Sequence, residues 1–413
     1  MPSLKSKKKP LFPLAWLALF GPGIVVMLAD TDAGSIIVAA QSGAVWGYKL
    51  LLLQFILMPI LFIAQELTVR LGLVTGKGHG ELIKLKFGSM WAWISVITLL
   101  ICCVGAIITE LSGLAGVGAL IGIPIWKTMA LTITFLIFLA WTGSYRSVEL
   151  VALFLGAFEL IFLWVAYQAH PSFQEISHAL LTIPWHDRSY LYLAAGNIGA
   201  VIMPWMIFYQ QSAVLDKGLS AKHLSAARWD TLIGAIITQS IMAAILVTTA
   251  ATLGKHSTAS LNSVQDITHA LTPALGLTAG KILFALGMTG ASLVATIVVS
   301  LTAAWGLGEV MGYRRSLQDH PREAPWFYSI YSLTLIVGGL VVASGINLIK
   351  LSVAVEVMNA LLLPIVLGFL YLLALKALPE NYRLKGKYAI ITGIILGITA
   401  LFGLVAGIMG IME

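Results

Sequence analysis

Apolar stretches of about 20 residues, each long enough to carry a helix across a bilayer, recur along this chain and decide what it can become. Eleven are expected, at about 13–41, 48–73, 91–120, 124–142, 147–168, 190–214, 229–253, 277–312, 326–346, 350–375 and 388–411. A transmembrane β-barrel would alternate apolar and polar residues over ~10-residue segments; runs such as 50–63 and 390–411 do not alternate. The expected fold is therefore all-α and integral to a membrane. Composition agrees, because only 10% of residues are charged and 59% are hydrophobic, which excludes a soluble globule and a disordered chain alike. Cys102 and Cys103 are adjacent within an apolar run, so they supply neither a disulfide scaffold nor zinc-site spacing.

Charge distribution sets the topology. If the N-terminus is cytoplasmic, six of the 25 Lys and Arg residues fall outside (Lys49, Lys127, Arg188, Lys255, Lys281 and Lys350), leaving 19 inside. That asymmetry is a positive-inside pattern. It explains the net charge of +7 without nucleic acid, whose binders concentrate basic residues on one face. The expected location is the inner (plasma) membrane, with multiple passes and the lipid bilayer as partner. The basic tail 5–10 resembles a signal n-region, but no small-residue cleavage site follows, so the first helix is read as retained. His170, His178 and His186 share the largest external loop, where Pro171 and Pro184 prevent one helix from aligning them; that loop reads as solvated.

An ionisable group inside a span costs several kcal/mol unless it is paired or hydrated, so each is a functional candidate. Glu66 precedes Arg70 by four residues, the favourable helical ion-pair order, and reads as structural. Glu309 reads the same way, with Arg314 and Arg315 nearby. Glu159 follows Gly156 and has no evident partner; packing and function stay equally open for it. Asp30 and Asp32 lie mid-span, two residues apart. On an intact helix they would point ~200° from one another, so a break at Gly34 is expected, freeing carbonyls and letting both acids converge. Unwound backbone at that depth is tolerated only around a protein-lined cavity.

A second interruption is expected in span 6, where Pro204 removes a backbone donor and Gly196 and Gly199 weaken the same helix. Alone, this would read as an ordinary proline kink. Five spans separate it from the first break, so spans 1–5 (about 13–168) and 6–10 (about 190–375) read as two repeats within one transporter domain, followed by an extra helix at 388–411. An odd repeat length makes the second copy inverted. Broken helices in corresponding positions mark a transporter binding site. The Asp32 carboxylate, the Ser35 hydroxyl, freed carbonyls and the Met203 thioether make a cation site. Oxygen suits hard ions and sulfur suits softer transition metals; Met203 alone would read as packing.

These residues resemble the Nramp family of divalent-metal transporters. The resemblance runs through Gly21-Pro22-Gly23, Asp32-Ala33-Gly34-Ser35, Gln41-Ser42-Gly43-Ala44 and Gly47-Tyr48. It resumes at Met203-Pro204 and Ser212-Ala213 and covers the eleven spans in order. It implies a LeuT-like fold of inverted five-helix repeats with helices 1 and 6 broken, alternating access, and proton-driven uptake of Mn²⁺ or Fe²⁺. By position, the resemblance makes Asp32, Ser35, Ala200 (through its carbonyl), Met203 and Glu356 the metal ligands. Gly34, Pro204, Trp205 and Asn359 would line or gate the site. The family's Asp-Pro-Gly-Asn and Met-Pro-His motifs read here as Asp32-Ala33-Gly34-Ser35 and Met203-Pro204-Trp205. Of the family's two span-3 acids, Glu110 matches the first and Gly113 replaces the second. The proton pathway is then expected through Asp32, Glu110 and Asp30, with altered coupling.

The expected function is import of divalent transition metals, with metal as substrate and no cofactor. The alternative is a Mg²⁺ transporter of an Nramp-related branch not coupled to protons, which draws on Asp30, Glu356, Gly113 and Trp205. An organic-solute transporter of the same fold is disfavoured for amino acids, because their carboxylate would face acids. An enzyme is excluded: no nucleophile–base set, zinc helix or phosphate loop is present.

Overall fold

The computed structural model describes residues 21–142, 144–253, 261, 264–271, 276–344 and 348–412. The basic tail, the 13–20 start of span 1, the 345–346 end of span 9 and Lys255 lie outside the described residues. Span 1 is split into α1 (Pro22–Asp30) and α2 (Ala33–Trp46). Gly47, at φ 58°, ends α2, a positive-φ backbone that glycine adopts without a Cβ clash. A 3₁₀ turn, Gly47–Leu50, then leads into α3 (Leu51–Thr75), and α4 (His79–Phe87) is a short helix before α5 (Ser89–Leu120). Span 4 is α6 (Ile125–Trp141), and span 5 is α7 (Tyr145–Gly156), a 3₁₀ turn Ala157–Leu160, and α8 (Ile161–Gln168).

The external loop carries α9 (Phe173–Leu181). Span 6 divides into α10 (Arg188–Val201) and α11 (Pro204–Asp216), followed by α12 (Leu224–Leu253), the short α13 (Val264–Leu271) and α14 (Leu277–Met311). The last three spans are α15 (Pro325–Ala343), α16 (Leu348–Lys376) and α17 (Gly386–Ile411). Among the described residues, nine stretches are long and apolar enough to cross a membrane, one of them, Ala33–Thr75, holding two expected spans; α6 is shorter. The eleven spans are thus all present.

Both interruptions sit slightly off their expected places, for a physical reason. In span 1 the backbone leaves the helix at Thr31 and Asp32, before Gly34, which lies in the first turn of α2. The cause is capping rather than glycine flexibility. Asp32 accepts the Ser35 N–H at 2.7 Å and Glu110, reaching across from α5, accepts the Ala33 N–H at 2.9 Å, satisfying donors a helix start leaves free. In span 6 the chain is extended at Met203 and Pro204 occupies the first helical position, where a missing N–H costs nothing. Pro204 therefore starts a helix rather than kinking one.

Gly196 and Gly199 lie inside the unbroken α10, so they do not weaken it as expected. A Cβ on Gly199 would come 1.8 Å from the Glu356 carbonyl oxygen; the glycine is what lets α10 and α16 cross this closely.

The end of the bundle where α1 begins and α3 finishes is held by charge. Glu66 accepts Arg70 Nη2 at 2.6 Å and Arg228 Nε at 2.6 Å, extending the expected pair to a third residue. Asp230, on α12, accepts the N–H groups of Gly21, Gly23 and Ile24 at 2.7–3.3 Å and so caps α1 from more than 200 residues away. Glu309 has Arg315 near it, as expected, but no ion pair with it. It accepts the Ser212 hydroxyl at 2.6 Å and the Gly80 N–H at 2.7 Å, whereas Arg315 pairs with Glu81 and Arg314 with Glu323. His79 is buried beside Glu309's segment, its Nδ1 3.2 Å from Gln211 Oε1 and its ring edge-on to Phe208. Burial, against the Gln211 hydrogen bond, lowers its pKa to about 4.

Candidate functional site

The two interruptions meet. Ser35, in the first turn of α2, donates its hydroxyl to the Ala200 carbonyl at 3.0 Å, tying the broken end of span 1 to that of span 6. Asp32 uses Oδ1 as the α2 cap, and its Oδ2 is buried with no donor. Span 10 closes the third side. A Cβ on Gly34 would lie 2.3 Å from Glu356 Oε1 and 3.4 Å from Asp32 Oδ1, so these two carboxylates flank Gly34, and only glycine leaves room for both. Asn359 donates to Glu356 Oε2 at 2.9 Å, which leaves Glu356 Oε1 without a partner. The helical-face relation expected for Glu356 and Asn359 is thus a direct hydrogen bond.

Met203 caps the start of α11 without a side-chain hydrogen bond to the backbone. Its sulfur instead accepts Trp205 Nε1–H at 3.1 Å, which leaves one sulfur lone pair available. Asp32, Ser35, Met203, Trp205, Glu356 and Asn359 are each 0% exposed, so the arrangement is closed to water on every side. Buried carboxylate oxygens that lack donors repel one another and are costly to keep bare. A carbonyl, a hydroxyl and a thioether around them offer lone pairs rather than hydrogens. Chemically the arrangement can hold a cation and has nothing with which to hold an anion.

Asp30 Oδ2 accepts the Thr238 hydroxyl of α12 at 3.4 Å, and its Oδ1 has no donor. Asp32 and Glu356 both bear on Asp30 electrostatically. Glu110 adjoins Asp32, and its oxygens are engaged by the Ala33 N–H and the Thr109 hydroxyl at 3.3 Å. Gly113 has a packing reason: a Cβ there would come 2.6 Å from Ala33 Cβ and 2.8 Å from Ser292 Oγ, so span 3 has no space for a second acid.

Sequence reasoning missed a polar strut beside the site. Gln54 of α3 donates to Asn197 at 2.5 Å, and Asn197 donates to Ser42 at 2.8 Å and to the Leu193 carbonyl at 2.6 Å. An amide in the middle of span 6 was the available signal, since buried amides require partners. The three loop histidines form no metal-binding group among the described residues.

Comparison with known proteins adds to this geometry. A family profile described as Nramp, natural resistance-associated macrophage protein-like, matches residues 23–408. A divalent metal cation transporter MntH from Yersinia pestis (strain Pestoides F) is 27% identical over 311 residues, covering 72% of this chain and 74% of the relative. Another MntH, from Klebsiella pneumoniae (strain 342), is 28% identical over 295 residues, covering 69% and 70%. In fold, the chain is similar to the Eremococcus coleocola manganese transporter, solved with an aromatic bis-isothiourea substituted compound. That superposition has a TM-score of 0.74 at 20% identity, over 98% of this chain and 88% of the other.

Proposed function

The chain belongs to the Nramp family, and from that premise we propose that this multi-pass membrane protein is a secondary transporter importing divalent transition-metal ions, Mn²⁺ and Fe²⁺-like, by alternating access. The observation that carries the reading is the meeting of the two broken helices through the Ser35–Ala200 bond, with Asp32 Oδ2 and Glu356 Oε1 both lacking donors beside it. Asp32, Ser35, the Ala200 carbonyl, Met203 and Glu356 would supply the ligands. Three oxygen types with one thioether suit a borderline transition metal better than an ion that takes oxygen alone. Trp205 holds the Met203 sulfur in place, and Asn359 holds Glu356 with one oxygen turned toward Gly34.

Spans 1–5 and 6–10 act in this reading as inverted repeats that rock against each other around the breaks, with 388–411 as an appended helix. The rim carrying Glu66, Asp230 and Glu309 would be cytoplasmic and the membrane the bacterial inner one, as the basic excess on that side suggests. Asp32, Glu110 and Asp30 would form the acidic path for co-transported protons, with coupling altered because Trp205 and Gly113 stand where the family carries a histidine and an acid. Tracer uptake into proteoliposomes tests the reading: Mn²⁺ entry that competing Fe²⁺ suppresses is expected, and entry of Mg²⁺ without Mn²⁺ would sink it.

A second reading, Mg²⁺ transport without protons, draws on two observations. An acid, Glu356, faces the site beside Asp32, and the Met203 sulfur is already engaged by Trp205. Met203→Ala separates the two, because a magnesium site would be indifferent to loss of the thioether.

A further inference from the structure

Glu159 is an intramembrane acid to which the metal reading gives no task. It lies on the 3₁₀ turn that interrupts span 5, is 0% exposed, and neither carboxyl oxygen has a hydrogen-bond donor. Span 5 is pressed against span 1 immediately before the break, since a Cβ on Gly156 would come 2.6 Å from Leu28 Cδ1. The Glu159 carboxyl adjoins Thr31, the residue at which α1 ends.

Thr31 leads onward. Its hydroxyl is 2.6 Å from that of Thr238 on α12, and Thr238 donates to Asp30 Oδ2 at 3.4 Å. A hydroxyl has one hydrogen to give. Thr238 gives its hydrogen to Asp30, so the Thr31–Thr238 bond needs the hydrogen of Thr31. Thr31 then has no hydrogen left for Glu159, so an ionised Glu159 carboxylate would have no donor to stabilise it. The surroundings point the same way. The charged groups that bear on Glu159 are Asp30 and Asp32, both acids. From α14, Gly290 packs against Leu155 and Phe158, and Gly287 packs against Phe162. A buried carboxyl in such a setting holds a proton rather than a bare charge.

We propose that Glu159 is a proton-carrying residue of the transport cycle, placed on the 3₁₀ turn of span 5 where that span packs against span 1 just before its break. The assignment rests on the transport reading above. When span 1 swings away from span 5, the buried acid meets water. On the uptake side a carboxylate gains one proton from solvent, and on the release side the carboxylic acid returns it. Glu110 is less suited to this task, because both its oxygens are already engaged.

The test is parallel measurement of tracer Mn²⁺ uptake and lumenal acidification in proteoliposomes, with Mn²⁺ binding followed by calorimetry. Glu159→Gln keeps the shape and the donor but cannot release a proton. It should cut metal-driven acidification at least about tenfold and flatten the pH dependence of uptake, while the Mn²⁺ Kd stays within about threefold of the parent's. Acidification at the parental rate in this variant would overturn the proposal, as would a parent that moves metal and no protons. A parent that moves protons without metal overturns the transport reading and leaves the proton role standing; one that moves neither overturns both. If the glutamine variant does not fold, Glu159→Asp carries the test. Its shorter acid withdraws from Thr31, so slowed acidification is expected and an unchanged rate again refutes the assignment.

Discussion

The acids at the centre of the bundle and those at the rim where α1 begins are about equally buried and very differently accompanied. At the rim, Glu66 sits between two arginines, Glu149 takes Lys217 at 2.8 Å, Asp230 takes three backbone N–H groups, and Glu309 takes a hydroxyl and an amide. At the centre, Asp30, Asp32, Glu159 and Glu356 each keep at least one oxygen with no donor. Folding alone would eliminate such oxygens, because each costs free energy. The rim acids stabilise the fold and the central acids weaken it, as the proposed ligand and proton roles require.

The strongest way to break this contrast is Asp32→Ala, which removes a proposed ligand and the cap of α2 together. Uptake of tracer Mn²⁺ should fall by about 100-fold or more, since one charged interaction at a desolvated site is worth ~3 kcal/mol. Asp32→Asn should fail in transport while retaining thermal stability, because asparagine caps as well as aspartate does. At the rim the expectation reverses. Glu66→Ala leaves Arg70 and Arg228 without their acid and should cost about 2–3 kcal/mol, below the full buried-pair figure because Arg228 is partly exposed. Its melting temperature in detergent should drop while its Mn²⁺ Kd is unchanged, and a shifted Kd would dissolve the distinction.

Met203→Ala sharpens the comparison within the centre. Mn²⁺ affinity should weaken about tenfold and Mg²⁺ affinity hardly at all, on ligand softness; equal losses for both ions would remove the thioether from the site. The smallest effect concerns His79, a neutral rim residue. Its folded pKa of about 4 lies below the ordinary 6.5, so between those values the unfolded chain binds more protons, and stability falls as pH drops through 6.5 toward 4. At pH 5.5 the loss is about 1 kcal/mol. His79→Gln should remove that slope from a thermal-melt series, and a slope that persists would assign it to other groups.

The spans were legible because bilayer thickness imposes a length on apolar runs, and Asp32, Met203 and Glu356 were legible because charge, sulfur and proline are conspicuous inside such runs. The position of the span-1 break was misplaced by two residues because Gly34 suggested weakness, whereas the cause is Asp32 capping α2 locally together with Glu110 capping it from span 3. Asp230 on the first turn of α1, and the Thr238 hydroxyl between Thr31 and Asp30, join residues more than 200 positions apart. Nothing in hydropathy or spacing encodes such pairings, which exist only once α12 has packed against α1. Glu159 was visible as an acid without a partner, but its direction toward Thr31 depended on the 3₁₀ turn and on Gly156.

Gly34 and Gly199 touch the same residue from opposite sides, one at the carboxylate of Glu356 and the other at its carbonyl. Mechanically, span 10 runs between two smooth bearings, one on each broken helix. The proposed rocking motion would need such surfaces, since a single protruding methyl would turn a sliding contact into a ratchet tooth. Alanine at Gly199 should therefore act as a brake on the proposed stroke, whereas alanine at Gly34 would push on the Glu356 carboxylate itself.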